Sequence, residues 1–323
     1  MRSLLRTLKT AAVAVAVFLF LAVAFLWWGP GPSEAPISVQ IARGASLSRA
    51  AEQLEAAGAI PDARRFYILA RLLGKKDPIK AGEFALPAAA SAAKILDILQ
   101  HSQPVQHLVT IPEGMPSILV YEKLMAEPLL VGAIDVPAEG SILPDSYAFE
   151  RGEQRAAVLA RMTKAMDDVL ENLWANRKAA SVVKNPREAL TLASIVEKET
   201  GKPSERRMVA GVYSNRLRIG MKLDADPTVI YPITRGKPLG RRIRVSELRA
   251  DNGYNTYVRA GLPAGPIANP GRESIAAVLD PAPTRALFFV ADGTGGHVFA
   301  ETLAEHNQNV VKWRAIRRAR GEM

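Results

Sequence analysis

The stretch LASIVEKETG, Leu192 to Gly201, ends an apolar run with two carboxylates, Glu197 and Glu199, separated by one lysine. A carboxyl that closes an apolar stripe has a definite chemistry. Desolvation disfavours its charged form, holds its proton toward neutral pH and fits it for general-acid work. At about 100° per helical residue, Leu192, Ile195 and Val196 share one face, and Glu199 projects within about 20° of the centre of that face. Glu197 points roughly 160° away from Glu199, toward Thr191, Ser194 and Lys198, where water or a basic neighbour can reach it. The spacing therefore makes Glu199 the candidate acid. Two plainer roles stay open from the pattern alone: an ion pair with Arg206 or Arg207, and an ordinary polar position on a fraying last turn.

The surrounding residues supply a helix to carry these groups. In NPREALTLASIVEKETG, Asn185 is an N-cap, Pro186 the first helical residue, Glu188 the partner in a capping box and Gly201 a C′ stop. A long amphipathic helix from about Glu153 to Asn176 precedes it, joined by SVVKNP. Beyond it, GMKLDADPTVIY, GYNTYVRAGLPAGPIANPG and ALFFVADGTGGHVF read as strand-and-loop stretches rich in Gly, Pro, Asn and Tyr. Loops of this kind on a rigid frame build clefts.

The first third reads as small α/β units. ISVQIA is a strand; SLSRAAEQLEAAG is a helix capped by Ser46 and ended by Gly58. Asp62 caps a second helix, whose Phe66, Leu69, Ala70 and Leu73 face one way before Gly74. GEFAL is a strand, SAAKILDILQ a helix, HLVTIPEG a strand and turn, and PSILVYEKLMAE a helix opened by proline. ILPDSYAFERGE is a strand-and-turn junction. A β-α-α-β unit of this size suits a small carbohydrate- or partner-binding module and equally a plain spacer.

Composition sets the class. The chain has 323 residues, 48% of them hydrophobic, enough for about two domains with real cores. It has no cysteine, which excludes disulfides, thiolate zinc sites and a cysteine nucleophile. Lys+Arg 42 against Asp+Glu 32 gives a net charge of +10, and Gly201 to Ala250 alone holds twelve basic and four acidic residues. Such a balance favours an anionic partner: nucleic acid, lipid or an acidic polymer such as cell wall. Ala11 to Trp28 is uncharged and long enough to cross a bilayer, with Arg2, Arg6 and Lys9 on the cytoplasmic side and Trp27 and Trp28 at the far interface. A cleaved signal peptide is the competing reading, but WWGPGP offers no small-x-small cleavage site. GPGPSEAP, Gly29 to Pro36, reads as a short linker. An anchor of this orientation puts the rest of the chain outside the cytoplasm and argues against nucleic acid.

The stretches LASIVEKETG…SERRMVAGVYSNRLRIGMKLDADPTVIY, YNTYVRAGLPAGPIANPG and FFVADGTGGHVF…HN together resemble the endolytic murein transglycosylases of the MltG (YceG-like) family. The likeness runs from about Gly140 to the end; Ser146 in LPDSY stands where the family more often has threonine. The resemblance implies an α+β protein with a cytoplasmic N-terminus (1–10), a transmembrane helix (11–28), a linker (29–36), a LysM-like peptidoglycan-binding module (37–139) and a mixed α/β catalytic domain (140–323). It implies a bacterial inner-membrane, single-pass protein with a periplasmic domain. Such a protein cuts nascent glycan strands and leaves 1,6-anhydro-N-acetylmuramic acid ends. It implies Glu199, the second glutamate of EKE, as the catalytic group, with no cofactor. Its neighbours would be peptidoglycan glycan strands and peptidoglycan synthases or division proteins.

Under that resemblance Asn215, Asp226, Thr228, Tyr254, Asn255 and Tyr257 are candidates to hold sugar, since they carry the amide, carboxylate, hydroxyl and aromatic groups that do so. Asp226 could be a second acid or could tie the DPT turn together. GLPAGPIANPG reads as a rigid cleft wall. His297 and His306 lack a third ligand nearby, so no metal is expected. Two rival functions stand beside the lyase. One is a non-catalytic wall-binding scaffold; the other is a hydrolase pairing Glu199 with Asp226 or Asp224.

Overall fold

The computed structural model describes residues 2–322. The chain divides into two compact units. One runs to His107 and takes in Ala148–Arg151; the other comprises Leu108–Tyr147 and the chain from Gly152 onward. The sequence reading drew its boundary near residue 139. The earlier divide has a physical cause in the second unit. There Asn269 donates to the Met115 carbonyl (2.9 Å) and the Ser117 hydroxyl (3.1 Å), and accepts from the Ile142 backbone N–H (3.0 Å). Residues 108–139 are thus tied to a loop far along the chain.

The first unit begins with helix α1 (Arg2–Trp28). Leu8–Trp28 within it is, among the described residues, the one helical stretch long and apolar enough to cross a membrane. Strand β1 (Ile37–Ile41), helices α2 (Leu47–Ala56) and α3 (Ala63–Leu73), strand β2 (Gly82–Leu86) and helix α4 (Ala92–His101) follow. β1 and β2 pair antiparallel, with Val39 opposite Phe84, so the unit is a β-α-α-β hairpin with α4 added. Ser46, Asp62 and Ser91 each accept a backbone N–H at their helix starts. Val39, Ile41, Leu54, Phe66, Phe84, Leu86, Ile95 and Leu99 fill the core. Leu73, expected on the buried face of α3, is 42% exposed.

Trp27, at 3% exposed, belongs to that same core. The segment after it is not a free linker: Gly31 N–H donates to the Ala89 carbonyl (3.1 Å) and Ala89 N–H to the Ser33 carbonyl (2.7 Å). A Cβ on Gly31 would collide with the Ala90 carbonyl, so the close approach requires glycine there.

The second unit contains α5 (Ser117–Ala126), α6 (Arg155–Ala175), α7 (Pro186–Glu199), α8 (Arg206–Arg218), α9 (Asp226–Thr234), α10 (Val245–Leu248), α11 (Arg272–Leu279) and α12 (Leu303–Ala319). It also carries the antiparallel hairpin β5 (Phe288–Ala291) and β6 (His297–Ala300). Strands β3 (His107–Thr110) and β4 (Ser146–Phe149) pair as a further two-stranded sheet.

Helix α7 starts as its sequence dictates. Asn185 accepts from Glu188 N–H, and Glu188 in turn accepts from Lys184 N–H. It ends at Thr200, with no left-handed residue at Gly201. Leu192, Ile195 and Val196 are fully buried against Val209, Tyr213, Ile275 and Val278. The expected polar side of α7 is buried too. Thr191 is 3% exposed and Ser194 0%; the Ser194 hydroxyl donates to the Thr191 carbonyl and accepts from Ile267 N–H. α7 is a central helix enclosed on nearly every side. GMKLDADPTVIY, expected as strand and loop, is helical from Asp226, with Pro227 at a position that needs no N–H donor.

Candidate active site

Glu199 closes α7 and lines an open cleft of about 230 Å³. Its walls are Gly201, the turn Gly293 to Gly296, His297, Trp313 and Arg320. Burial raises its carboxyl from 4.5 to about 7; the negative charge of Asp226 pushes the same way and Arg216 opposes both. Near neutrality the group exists in both forms, the condition under which one carboxyl can give and then take a proton.

Asp226, at the first turn of α9, accepts a hydrogen bond from the Tyr257 hydroxyl at 2.7 Å. Tyr257 is half-buried, and burial first, then the Asp226 bond and charge, hold its hydroxyl protonated above the usual phenol range. Asp224 sits in the left-handed region (φ 47°), a conformation Asp tolerates better than most residues. Its carboxylate is 3.8 Å from Arg216.

Arg216 and Tyr213, both on α8, were not singled out from sequence. Arg216 is 8% exposed. It donates to the Leu287 carbonyl (2.6 Å) and the Leu223 carbonyl (2.7 Å), which fixes the 222–224 loop against the start of β5. Tyr213 is 1% exposed, packed edge-on against Phe289 (5.7 Å). Its spacing of three residues from Arg216 was legible as a shared helix face, but nothing local said that this face meets Glu199.

His297 Nδ1 pairs with Glu205 Oε2 at 2.9 Å, both nearly buried. Gly296, beside it, has no room for a Cβ because the Glu205 carboxylate occupies that space. His306 stacks on Phe288 (5.3 Å).

Glu197 differs from expectation. Its side chain is 6% exposed and accepts from Gly271 N–H (2.9 Å) and the Ser274 hydroxyl (2.7 Å) at the start of α11. Arg206 stands 3.5 Å away and also reaches Glu113 at 3.2 Å. Of the two neighbours the helical wheel allows Glu197, water or a basic residue, the basic one is present as Arg206, and the neighbouring helices cover that side.

The expected sugar-binding residues separate into two groups. Asp226 is exposed and Tyr254 and Tyr257 are half-buried, with Tyr254 4.9 Å ring to ring from Tyr231. Asn215, Thr228 and Asn255 are engaged in hydrogen bonds within the protein. The Asn215 amide donates to the Thr284 and Ala286 carbonyls, and its oxygen accepts from Arg218. Thr228, 0% exposed, bonds Ala225 and Thr256. Asn255, 1% exposed, donates to the carbonyls of Glu247, Leu248 and Ala250. Much of the basic run 201–250 is likewise engaged: Arg207 with Asp280, Lys237 with Glu122 and Arg241 with Glu247.

The cleft thus has at its edge a carboxyl that burial raises to about 7. A sequence profile of the YceG-like family matches residues 39–312, and the chain belongs to that family. It is 35% identical over 178 residues to the endolytic murein transglycosylase of Bacillus subtilis (strain 168), covering 55% of this chain and 48% of that protein. It is 28% identical over 329 residues to the endolytic murein transglycosylase of Streptococcus pneumoniae serotype 2 (strain D39), covering 87% of this chain and 59% of that one. The chain therefore spans about half to three-fifths of the length of these relatives. A crystal structure of a putative yceG-like protein from Listeria monocytogenes superimposes with a TM-score of 0.52 at 28% identity, over 85% of this chain and 99% of that one.

Proposed function

We propose that this chain is an endolytic lytic transglycosylase of peptidoglycan, held by α1 in a bacterial inner membrane with its catalytic unit in the periplasm. The observation that carries the reading is Glu199, whose carboxyl is raised to about 7 by burial at the edge of an open cleft. The names of its relatives supply the substrate class, murein.

The reaction runs on that one group. Protonated Glu199 gives its proton to the glycosidic oxygen between N-acetylmuramic acid and N-acetylglucosamine, and the bond from that oxygen to C1 of the muramic sugar breaks. The substrate's N-acetyl group stabilises the oxocarbenium-like centre. The Glu199 carboxylate then takes the proton of the C6 hydroxyl as its oxygen bonds C1, closing the 1,6-anhydro ring and restoring the acid. No water is consumed, so the second carboxylate that hydrolysing glycosidases use is dispensable. Asp226 acts by its charge, keeping Glu199 protonated at rest, and Arg216 limits that effect. Asp226, Tyr257 and Tyr254 hold sugar hydroxyls and faces. The β-α-α-β hairpin of the first unit serves as a LysM-like grip on glycan, and peptidoglycan synthases or division proteins supply the nascent strand.

The test is mass spectrometry of fragments released from uncrosslinked glycan by the full-length chain in detergent. The full chain is required because Trp27 is part of the first unit's core. Anhydro ends support the lyase. Reducing ends would indicate a hydrolase with Asp226 or Asp224, and no release would leave a binding scaffold.

A further inference from the structure

We propose that α3 is a membrane-surface element, with one face seated in the headgroup layer of an anionic phospholipid leaflet; this rests on the reading of α1 as a membrane anchor. Three independent features of the first unit carry it.

The first is an unpartnered apolar pair. Ile68 and Leu72 lie one turn apart on α3, on the side opposite its buried Phe66, Leu69 and Ala70. They are 45% and 74% exposed. Leu72 is the most exposed large apolar side chain among the described residues, more open than any of those in the membrane helix itself. A single exposed leucine needs no explanation, but an adjacent pair framed by cations does.

The second is charge. From Ala63 to Lys76 the chain holds Arg64, Arg65, Arg71, Lys75 and Lys76 and no acidic residue. Arg64, Arg71, Lys75 and Lys76 are exposed. Basic residues beside exposed aliphatic groups on one short helix are the pattern of a helix lying in the plane of an anionic interface.

The third is position. Trp27, in the last turn of α1, packs on Phe66 of α3 with ring centroids 6.3 Å apart. Phe25 and Leu26 of α1 share a cavity of about 280 Å³ with Asp62, Arg65, Phe66 and Leu69 of the α3 segment. Tryptophans at the end of a spanning helix mark the membrane interface. A helix in ring contact with Trp27 therefore lies at headgroup level. Seated there, Ile68 and Leu72 enter the boundary with the acyl chains, and the arginines and lysines meet phosphates.

The chain has no native cysteine, so single labelling sites are clean. Full-length Leu72→Cys and Phe18→Cys proteins, each carrying an environment-sensitive dye, are reconstituted in phosphatidylglycerol-containing vesicles. Lipids bearing a nitroxide quencher in the headgroup or at mid-chain are then compared. The expected result is a blue-shifted Leu72 dye quenched more by headgroup-labelled than by mid-chain-labelled lipid, with the opposite order at Phe18. Phe18 quenching alongside a Leu72 dye reached only by aqueous iodide overturns the proposal and leaves that face for a protein partner. Lipid quenching at neither position removes the anchor, and the proposal falls with it. Leu72 is exposed, so its substitution leaves the core intact.

Discussion

The carboxylate of Glu197 accepts a hydrogen bond from the Ser274 hydroxyl at 2.7 Å, across 77 residues of chain. Together with Gly271 N–H and Arg206, that bond makes Glu197 a tie between α7, α8 and α11. Glu199, two residues on, has no such partners and instead opens onto the cleft. One helical turn thus carries a carboxylate that ties three helices together and a carboxyl that burial raises toward neutrality.

Glu199→Gln should keep the fold and glycan binding, since the amide is nearly isosteric. Release of anhydro-ended fragments should fall by about 10³ to 10⁴, the upper part of the range for general acid–base catalysis, because one group acts twice. A normal rate in this variant would sink the mechanism.

The pH dependence has a definite sign. In the proposed mechanism the acid form of Glu199 starts the reaction, so kcat/KM should fall as pH rises through about 7. Stability follows the same group. Its folded pKa is raised above 4.5, so its relative contribution is fully present below pH 4.5 and is lost as pH rises through about 7. Glu199→Gln, lacking this titration, should gain in melting temperature over the parent across that window. The gain should plateau above pH 7, with an upper bound of about 3 kcal/mol reduced by the partial exposure of the group. Differential scanning calorimetry from pH 4 to 9 reads it; a flat difference would contradict the raised value.

Glu197→Gln should act on stability rather than chemistry. Losing the charge on a side chain 6% exposed weakens the bonds to Gly271, Ser274 and Arg206, at a cost of about 1.5–3 kcal/mol. Chemical denaturation should register that loss, while the alkaline limb of the activity profile stays near 7. A profile displaced as far as that of an Asp226 variant would mean that Glu197 tunes the acid directly.

Asp226→Asn keeps an acceptor for the Tyr257 hydroxyl but removes the charge that helps raise Glu199. The alkaline limb should move to lower pH, with product ends still anhydro. Loss of all turnover, or reducing ends in the parent, would instead make Asp226 a second acid.

Thr228→Val should lower stability by about 1–3 kcal/mol, since it orphans the Thr256 partners of a fully buried hydroxyl. KM for glycan should not change. A selective rise in KM with unchanged melting would restore Thr228 as a sugar ligand.

What the sequence by itself determined was local. Ser46, Asp62 and Asn185 marked helix starts because an N-cap bonds its own backbone three residues on. The 3.6-residue period set Glu199 at the end of the apolar stripe, and the uncharged run before Trp28 marked the membrane-length helix. Pro227 carried a helix-start signal that the glycine- and proline-rich surroundings masked. Only the tertiary structure decided which polar groups are already engaged. Asn215, Thr228 and Asn255 have the chemistry to hold sugar, yet their atoms bond inside the protein. Likewise a helical wheel allows Glu197 water or a basic neighbour, and the packing of α8 and α11 supplies Arg206, Gly271 and Ser274. The charges that act on the buried Glu199 carboxyl, Asp226 raising its pKa and Arg216 lowering it, sit 27 and 17 positions away on two other helices. Desolvation and charge act through space, and a local pattern records only which side of its own helix a residue faces.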